Sequence, residues 1–254
     1  MSAIALHRFQ RPALAALCTA AALGLTACGP FGGDATETGP FAGLSGAQIA
    51  NKAVKATKSA SSLTFDADLQ MPEGRVKAFM AVDTKGQCAG TLSVGSTGTV
   101  ELIRTGGDAY MRFDEALLRE QSKGSSAEET AAVLKTLKGR WTKADATDPE
   151  AKEGMEMCDL DQVLGELRTG INTAKRGEET TVGGRKALTL TEKDGAATYK
   201  IYVATEGEPY LLKVEQQGGK EPGTISFSAY NKPVPAKKPA AKDIVDLDKL
   251  AQQQ

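Results

Sequence analysis

Leu63-Thr64-Phe65-Asp66-Ala67-Asp68-Leu69-Gln70-Met71 alternates apolar and polar side chains over its whole length. Successive side chains of a β-strand point to opposite faces of a sheet, so this period of two places every apolar residue of the stretch on one face. We therefore predict a strand whose sheet buries one face and presents polar side chains on the other.

Further short extended segments lie on the C-terminal side of this stretch, separated by turns that contain glycine. The first series comprises residues 76–82, 89–94, 99–104 and 109–113. A second series comprises residues 179–183, 185–191, 197–204, 209–216 and 223–230. Short strands at near-regular spacing with glycine turns are typical of antiparallel meanders, and we predict two of them.

Helical patterns surround and interrupt the strands. Ser45 and Gln48 have the spacing of a capping box at a helix start, and Ser126 and Glu129 repeat it. The predicted helices cover residues 45–59, 114–121, 126–137 and 159–167. This order of elements predicts an α+β fold, in which a curved antiparallel sheet carries the helices on its inner, concave face.

The N-terminal 27 residues have the layout of a secretory signal peptide, with a short positive region, an apolar run and a small-residue cleavage site. The apolar run, residues 13–25, is too short to span a bilayer. Leu25-Thr26-Ala27-Cys28 resembles a bacterial lipobox, which implies cleavage between Ala27 and Cys28 and diacylglyceryl transfer to the Cys28 sulfur. Two acyl chains suffice for stable anchoring. The alternative is an ordinary secreted protein with a chance cysteine near the cut.

The remainder of the chain divides by composition. Residues 28–44 are rich in Gly, Pro and Thr and predict a flexible tether. Residues 45–231 are expected to form a single domain, followed by a proline- and lysine-rich strap and tail at 232–254. Within that tail, residues 233–239 predict an extended strap along the edge of the sheet, with contact to anionic headgroups as the alternative. Residues 243–250 predict a last short helix.

Cysteine usage predicts one disulfide. Cys18 lies in the predicted signal peptide, and a lipidated Cys28 would leave Cys88 and Cys158 as a pair. Disulfides persist in exported proteins, so we expect these two residues to be joined. The alternative is a metal or redox pair, for which the chain has neither Cys-x-x-Cys spacing nor a histidine outside the predicted signal peptide.

Charge argues against a nucleic acid partner. The chain has 31 basic and 32 acidic residues, and removal of residues 1–27 would take away only Arg8 and Arg11, which leaves a net charge of −3. Nucleic acid binding calls for a basic domain or stripe. We expect no such partner.

Catalytic patterns are missing from the sequence. His7 is the only histidine and lies in the predicted signal peptide, so a Ser-His or Cys-His pair cannot form in the mature chain. The sequence has no nucleophile elbow, phosphate-binding loop, zinc spacing or dinucleotide fingerprint. We expect a protein that is not an enzyme and that holds no cofactor and no metal.

Several short patterns occur in the same order as in one known family. They are Leu25-Thr26-Ala27-Cys28, the helix from Ser45, the strand Leu63–Met71, Glu101-Leu102-Ile103-Arg104 before Asp108-Ala109-Tyr110-Met111, and Lys138-Gly139-Arg140-Trp141 before Cys158-Asp159-Leu160. On these patterns the mature chain resembles the LppX/LprG-like family of actinobacterial lipoproteins, and more remotely the LolA/LolB-like carriers. The resemblance implies a half-barrel with helices on its concave side, where several members hold acyl chains. It is a fold-level analogy for function.

Two functions follow as hypotheses for a protein on the extracytoplasmic face of the bacterial cell membrane. The first is a tethered carrier that binds a lipid or other amphiphile in an apolar cavity. The second is a non-enzymatic envelope module that has a filled core and binds a protein partner. The residues predicted to line the carrier's cavity are Phe65, Leu69, Phe79, Leu102, Tyr110, Val133, Leu134, Ile201 and Phe227.

Overall fold

The computed structural model describes residues 39–246 apart from 73, 166 and 168, and it leaves out the side chains of 150, 153 and 246. The predicted signal peptide, the cleavage site at Ala27 and Cys28, most of the tether and the tail from 247 lie outside the described residues. No helix in the described part of the chain combines the length and the apolar character that a membrane span requires.

The described residues form twelve strands in one sheet, together with five α-helices. The strands are β1 Ser62–Met71, β2 Gly74–Asp83, β3 Cys88–Val94, β4 Thr99–Thr105, β5 Asp108–Phe113, β6 Trp141–Asp145, β7 Lys175–Val182, β8 Arg185–Asp194, β9 Ala197–Ala204, β10 Leu211–Gly218, β11 Gly223–Ser228 and β12 Ile244–Asp246. The helices are α1 Gly46–Lys58, α2 Glu115–Gln121, α3 Ala127–Leu137, α4 Pro149–Glu153 and α5 Leu160–Gly165. Two 3₁₀ helices, Glu156–Cys158 and Ala241–Asp243, complete the fold.

The sheet order is β12-β6-β5-β4-β3-β2-β1-β11-β10-β9-β8-β7, so β1 joins two meanders. Every neighbouring pair is antiparallel except β12 with β6. Phe65 in β1 pairs with Met80 in β2 and with Phe227 in β11, which sets the register across the junction. The predicted α+β half-barrel with a curved, antiparallel sheet is confirmed.

The alternation predicted for β1 is also confirmed. Leu63, Phe65 and Ala67 are at most 5% exposed and lie in the main core. Asp66 and Asp68, which flank Ala67, point to the opposite face. We call the face of Phe65 the concave face and the face of Asp66 the convex face.

Helices α1 and α5 lie over the concave face. The capping box of α1 is formed: the Ser45 hydroxyl accepts from the Gln48 amide, and the Gln48 side chain accepts from the Ser45 amide. Ile49 and Ala53 on the inner side of α1 are fully buried. Helix α1 contacts β9, β10 and α5, so its apolar stripe closes part of the curved sheet.

Helices α2 and α3 lie elsewhere. They pack against each other, α2 also contacts β4, and none of their described residues belongs to the core under α1 and α5. Helix α3 has no buried residue. The mid-chain helical insert therefore lies outside the core that α1 and α5 cover, although the order of elements predicted helices on the concave face without distinguishing this insert.

The segment after β11 crosses the convex face. It runs from β11, beside β1, to β12, beside β6, and must therefore traverse β1 to β5. At its start, the Ser62 hydroxyl donates to the Lys232 carbonyl at 2.6 Å. Further along, Lys238 of the segment lies near Asp108. Hydrogen bonds from Lys143 and Tyr110 lower the pKa of Asp108, and the charge of Lys238 lowers it as well. Both Ser62 and Asp108 point to the convex face, so the predicted edge strap lies over a face instead.

The end of this segment also differs from expectation. Of residues 243–250, predicted as a last helix, only 243–246 are described: Asp243 ends the 3₁₀ helix Ala241–Asp243, and Ile244–Asp246 form strand β12, which extends the sheet beyond β6. At the other end of the domain, Phe41 is buried in the core, and the Arg176 guanidinium donates to the Phe41 and Leu44 carbonyls at 3.0 Å each. The chain is therefore already packed against the domain at Phe41, within the range predicted to be tether.

Candidate ligand-binding cavity

A cavity of about 470 Å³ lies between the concave face and the helices. Strands β1, β11, β10 and β9 form its floor, and α1, α5 and the flanking chain form its other wall. Its lining residues are Val54, Phe65, Ala67, Leu69, Met71, Met157, Val163, Leu167, Ile171, Glu192, Tyr199, Ile201, Leu211, Val214, Gln216, Glu221, Gly223, Ile225 and Phe227. Most of this surface is apolar.

Strand register arranges the floor in transverse rows. At the deep end Phe65 pairs with Phe227, and both are buried. The next row carries only apolar side chains and runs across four strands as Ala67, Ile225, Val214 and Ile201. Ala67 is the smallest of these residues, so it leaves the most space above β1. The two rows together form a continuous apolar surface.

Hydrogen bonds hold the deep end of the cavity in place. The Leu211 amide donates to the Thr57 hydroxyl at 3.0 Å, and the Tyr230 hydroxyl donates to the Leu211 carbonyl at 2.6 Å. The Tyr230 ring stacks on Tyr210 with centroids 4.0 Å apart. Burial raises the pKa of the Tyr230 phenol well above its ordinary value, so it stays protonated as a donor. Leu211 is thereby fixed with its side chain in the cavity.

The opposite end of the floor is polar. Its row runs as Leu69, Gly223, Gln216, Tyr199 and Glu192, each paired with the next across the sheet. A Cβ at Gly223 would overlap the Asp68 carbonyl, so this position accepts no side chain. We call Gln216, Tyr199 and Glu192 the polar row. Exposed Glu221 also lines the cavity at this end.

The helical wall is fastened to the sheet by a disulfide. Cys88 and Cys158 are bonded, and both are fully buried. Met157 adjoins Cys158 and lines the cavity, as do Val163 and Leu167 just beyond it. The disulfide thus holds the start of this wall against β3.

A second fastening comes from Asn51 in α1. Its amide nitrogen donates to the Ile171 carbonyl at 2.6 Å, and its amide oxygen accepts from the Gly170 and Ile171 amides at 3.0 and 3.1 Å. Ile171 is buried and lines the cavity. One side chain therefore satisfies three backbone groups of the loop between α5 and β7.

The structure brings four of the nine predicted cavity residues together. Phe65, Leu69, Ile201 and Phe227 line the cavity. Leu102 is buried on the concave face but lies in the core away from the cavity. Val133 and Leu134 lie on α3, are partly exposed, and do not line the cavity.

Phe79 and Tyr110 point away from the cavity, which corrects their assignment. Phe79 pairs with Asp66 on the convex face and is 54% exposed. Tyr110 also points to the convex face, where its hydroxyl donates to Asp108 at 2.8 Å. Burial, with the hydrogen bond to Asp108, raises the pKa of Tyr110 to about 12. Both residues belong to unbroken apolar runs, in which period-two alternation cannot assign a face.

Several lining residues were not predicted. Val163 and Leu167 belong to the apolar stripe of 159–167, which was predicted to face inward without being assigned to the cavity. Glu192 carried a usable signal, since Leu188, Leu190 and Glu192 share one face of β8 and the two leucines are buried. Among the described residues, no group of three or more His, Cys, Asp or Glu side chains is placed to hold a metal ion.

No protein-family model matches the sequence, and no curated protein does so. Among solved structures, LprF from Mycobacterium bovis aligns with a TM-score of 0.50 over 77% of this chain and 97% of its own, at 14% identity. The chain shares the fold of LprF. This agrees with the half-barrel that the resemblance to the LppX/LprG-like family implies.

Two further structures align more weakly. The lipoprotein LppX from Mycobacterium tuberculosis is 12% identical and has a TM-score of 0.46, with 74% of this chain and 96% of LppX covered. A chain of the Pseudomonas aeruginosa MucA/MucB complex is 14% identical and has a TM-score of 0.30, with 78% and 62% covered. At these identities the comparisons concern the fold alone.

Proposed function

We propose that this protein is a membrane-anchored extracytoplasmic lipoprotein that binds a lipid or other amphiphile in the cavity under α1 and α5. The observation that carries the proposal is the cavity itself, about 470 Å³ in volume and walled by apolar side chains. Ligand sites in proteins have volumes of about 300 to 1,000 Å³, apolar walls and a few placed polar groups. This cavity has all three properties.

The hydrophobic effect would supply the binding free energy. Leu69, Met71, Met157, Val214 and Ile225 line the cavity and are only partly buried, so an apolar ligand would remove their exposed surface from water. Ten methylenes of a ligand chain would contribute about 8 kcal/mol when buried. The lost translational and rotational freedom costs at least about 4 kcal/mol. The burial of one acyl chain therefore exceeds the lower end of this cost.

The proposed anchor is the diacylglyceryl group on Cys28. Its support is the sequence alone: the lipobox Leu25–Cys28 follows a charged start and an apolar run. Residues 29–38 would then separate the membrane surface from the domain. An anchored carrier works at the surface where its amphiphilic ligand is found, which makes the anchor and the cavity mutually consistent.

The alternative of a protein-binding module with a filled core makes the opposite prediction about this space. A filled core leaves no volume for a ligand, whereas the structure has space between the apolar rows and α5. Phe79, exposed on the convex face, is a single apolar side chain, and isolated exposed residues of this kind need no partner. The geometry therefore favours the carrier.

A matched pair of variants tests the proposal. Ile225 points into the cavity and Thr224, its neighbour in β11, points to the convex face. The reporter is 1-N-phenylnaphthylamine, whose fluorescence rises in apolar sites, added to the full chain carrying Cys28→Ala. We expect Ile225→Phe to weaken reporter binding at least tenfold and Thr224→Phe to leave it within twofold. No binding to the unsubstituted cavity, or equal effects of the two variants, would overturn the proposal.

A further inference from the structure

The cavity contains one buried carboxylate. Glu192 in β8 is 6% exposed, points to the concave face beside Tyr199, and lines the cavity. Its one hydrogen-bond partner among the described residues is the Thr173 hydroxyl at 3.5 Å, a distance too long for a strong hydrogen bond. Thr173 itself is exposed.

A carboxylate in such a place needs a donor. Burying an ionised carboxylate without partners costs free energy, and buried charges in proteins are normally paired or hydrogen-bonded. An ionised carboxylate only accepts hydrogen bonds, so a partner must supply N–H or O–H groups. The cavity is where such a group can reach Glu192, because the side chain lines it.

The neighbours of Glu192 in the polar row do not set a charge preference. The Tyr199 phenol and the Gln216 amide can each donate or accept. They are partly exposed and lie between Glu192 and the gap left by Gly223. The only other charged group that lines the cavity among the described residues is Glu221, which is also acidic. The polar end is therefore rich in acceptors and carries negative charge.

We propose that the polar row selects amphiphiles whose polar end donates hydrogen bonds and carries no negative charge, namely a primary amine or a hydroxyl. This inference rests on the proposed function. The chain of the ligand lies over the apolar row of Ala67, Ile225, Val214 and Ile201, and its polar end reaches Glu192. A carboxylate or phosphate in the same position would face Glu192 with like charge and is disfavoured.

Three probes with the same twelve-carbon chain separate the alternatives: dodecylamine, 1-dodecanol and dodecanoate. Each probe is titrated against 1-N-phenylnaphthylamine bound to the full chain carrying Cys28→Ala, at fixed ionic strength. Dodecylamine and dodecanoate are kept below their critical micelle concentrations, and 1-dodecanol is kept below its solubility limit. We expect the amine and the alcohol to bind at least tenfold more tightly than dodecanoate. The affinity of dodecylamine measures charge pairing with Glu192, and the affinity of 1-dodecanol measures hydrogen bonding alone.

Variants at Glu192 assign this preference to one side chain. Glu192→Gln is expected to reduce the ratio of amine to dodecanoate affinity to less than threefold, with each affinity referred to the reporter affinity of the same variant. Glu192→Asp keeps the charge and is expected to retain most of the preference. Glu208→Gln, exposed between β9 and β10 and outside the cavity lining, is the matched control and should leave the ratio within twofold of its original value.

The outcomes distinguish this inference from the proposed function. If the reporter binds and all three probes displace it equally, or if Glu192→Gln keeps the original ratio, the selectivity proposal is wrong while amphiphile binding stands. If the reporter does not bind at all, the proposed function fails and the selectivity fails with it. If Glu192→Gln does not fold, the ranking of the three probes on the unsubstituted cavity and on Glu192→Asp decides.

Discussion

Cys88 at the start of β3 and Cys158 at the end of a 3₁₀ helix form a disulfide whose Cα atoms are 5.3 Å apart. The bond spans 70 residues of sequence and connects the sheet to the wall of the cavity that faces it. Since β3 does not itself line the cavity, the disulfide acts on the site by holding the helical wall in position.

Removal of the disulfide is expected to destabilise the domain. On the chain-entropy account, closing a loop of this length stabilises the folded state by about 4 kcal/mol. The double variant Cys88→Ala, Cys158→Ala should lower the free energy of unfolding by that order in urea titrations, and reporter affinity should fall as the wall loosens. Reduction of the unsubstituted protein should have the same effect. A change below about 1 kcal/mol in both would show that the bond is not a main support.

Half-buried Asn51 is expected to contribute to stability through its hydrogen bonds to the loop between α5 and β7. Asn51→Ala removes the hydrogen bonds to the Gly170 and Ile171 backbone, and the loop that presents Ile171 loses its support. We expect a loss of about 2 to 3 kcal/mol in the free energy of unfolding, with weaker reporter binding. Lys52→Ala, at the exposed neighbouring position, is the control and should change stability by less than about 0.5 kcal/mol. Equal effects of the two variants would contradict the role given to Asn51.

The raised pKa of Tyr110 predicts a loss of stability at alkaline pH. Its pKa is about 12 in the folded protein and about 10 when unfolded. The unfolded state therefore releases its proton first, and the stabilisation present below pH 10 is lost as the pH rises towards 12. The free energy of unfolding should fall by about 2 to 3 kcal/mol over that interval. Tyr110→Phe should remove this contribution and make the profile shallower, while Tyr230, whose pKa is also raised by burial, keeps its own. An identical slope in the variant would refute the assignment.

The anchor makes a prediction that is independent of the cavity. The unsubstituted chain should incorporate a palmitate analogue and sediment with membranes, whereas Cys28→Ala should do neither. Cys18→Ala, inside the predicted signal peptide, serves as the control and should leave both properties intact. Labelling that persists in the Cys28 variant would place the lipid elsewhere or show that the lipobox is a chance match.

Sequence reasoning succeeded where side chains alternate clearly. The stretch from Leu63 to Met71 and the pair Ile201 and Val203 show which face they bury, and the fold follows from them. It failed where apolar residues run together, because Ala78-Phe79-Met80 and Ala109-Tyr110-Met111 satisfy either orientation. Only pairing with Asp66 and with Ile103 settles these faces, and those contacts are long-range.

Two other features were beyond sequence reasoning for different reasons. Strand β6 is five residues long and β12 three, too short for a pattern, and β12 adds to β6 only after the chain has crossed the convex face. The polar row depends on register between β8, β9, β10 and β11, so the approach of Glu192, Tyr199 and Gln216 to one another cannot be read from any one segment. The cavity's position is a property of the assembled sheet.

Native mass spectrometry of the full chain carrying Cys28→Ala, sprayed without detergent, tests the central claim most directly. We predict a protein mass with a bound amphiphile that collisional activation releases and organic extraction recovers, and we predict its loss in Ile225→Phe but not in Thr224→Phe. A clean protein mass with no released small molecule, unchanged after incubation with dodecylamine and 1-dodecanol, would contradict the account.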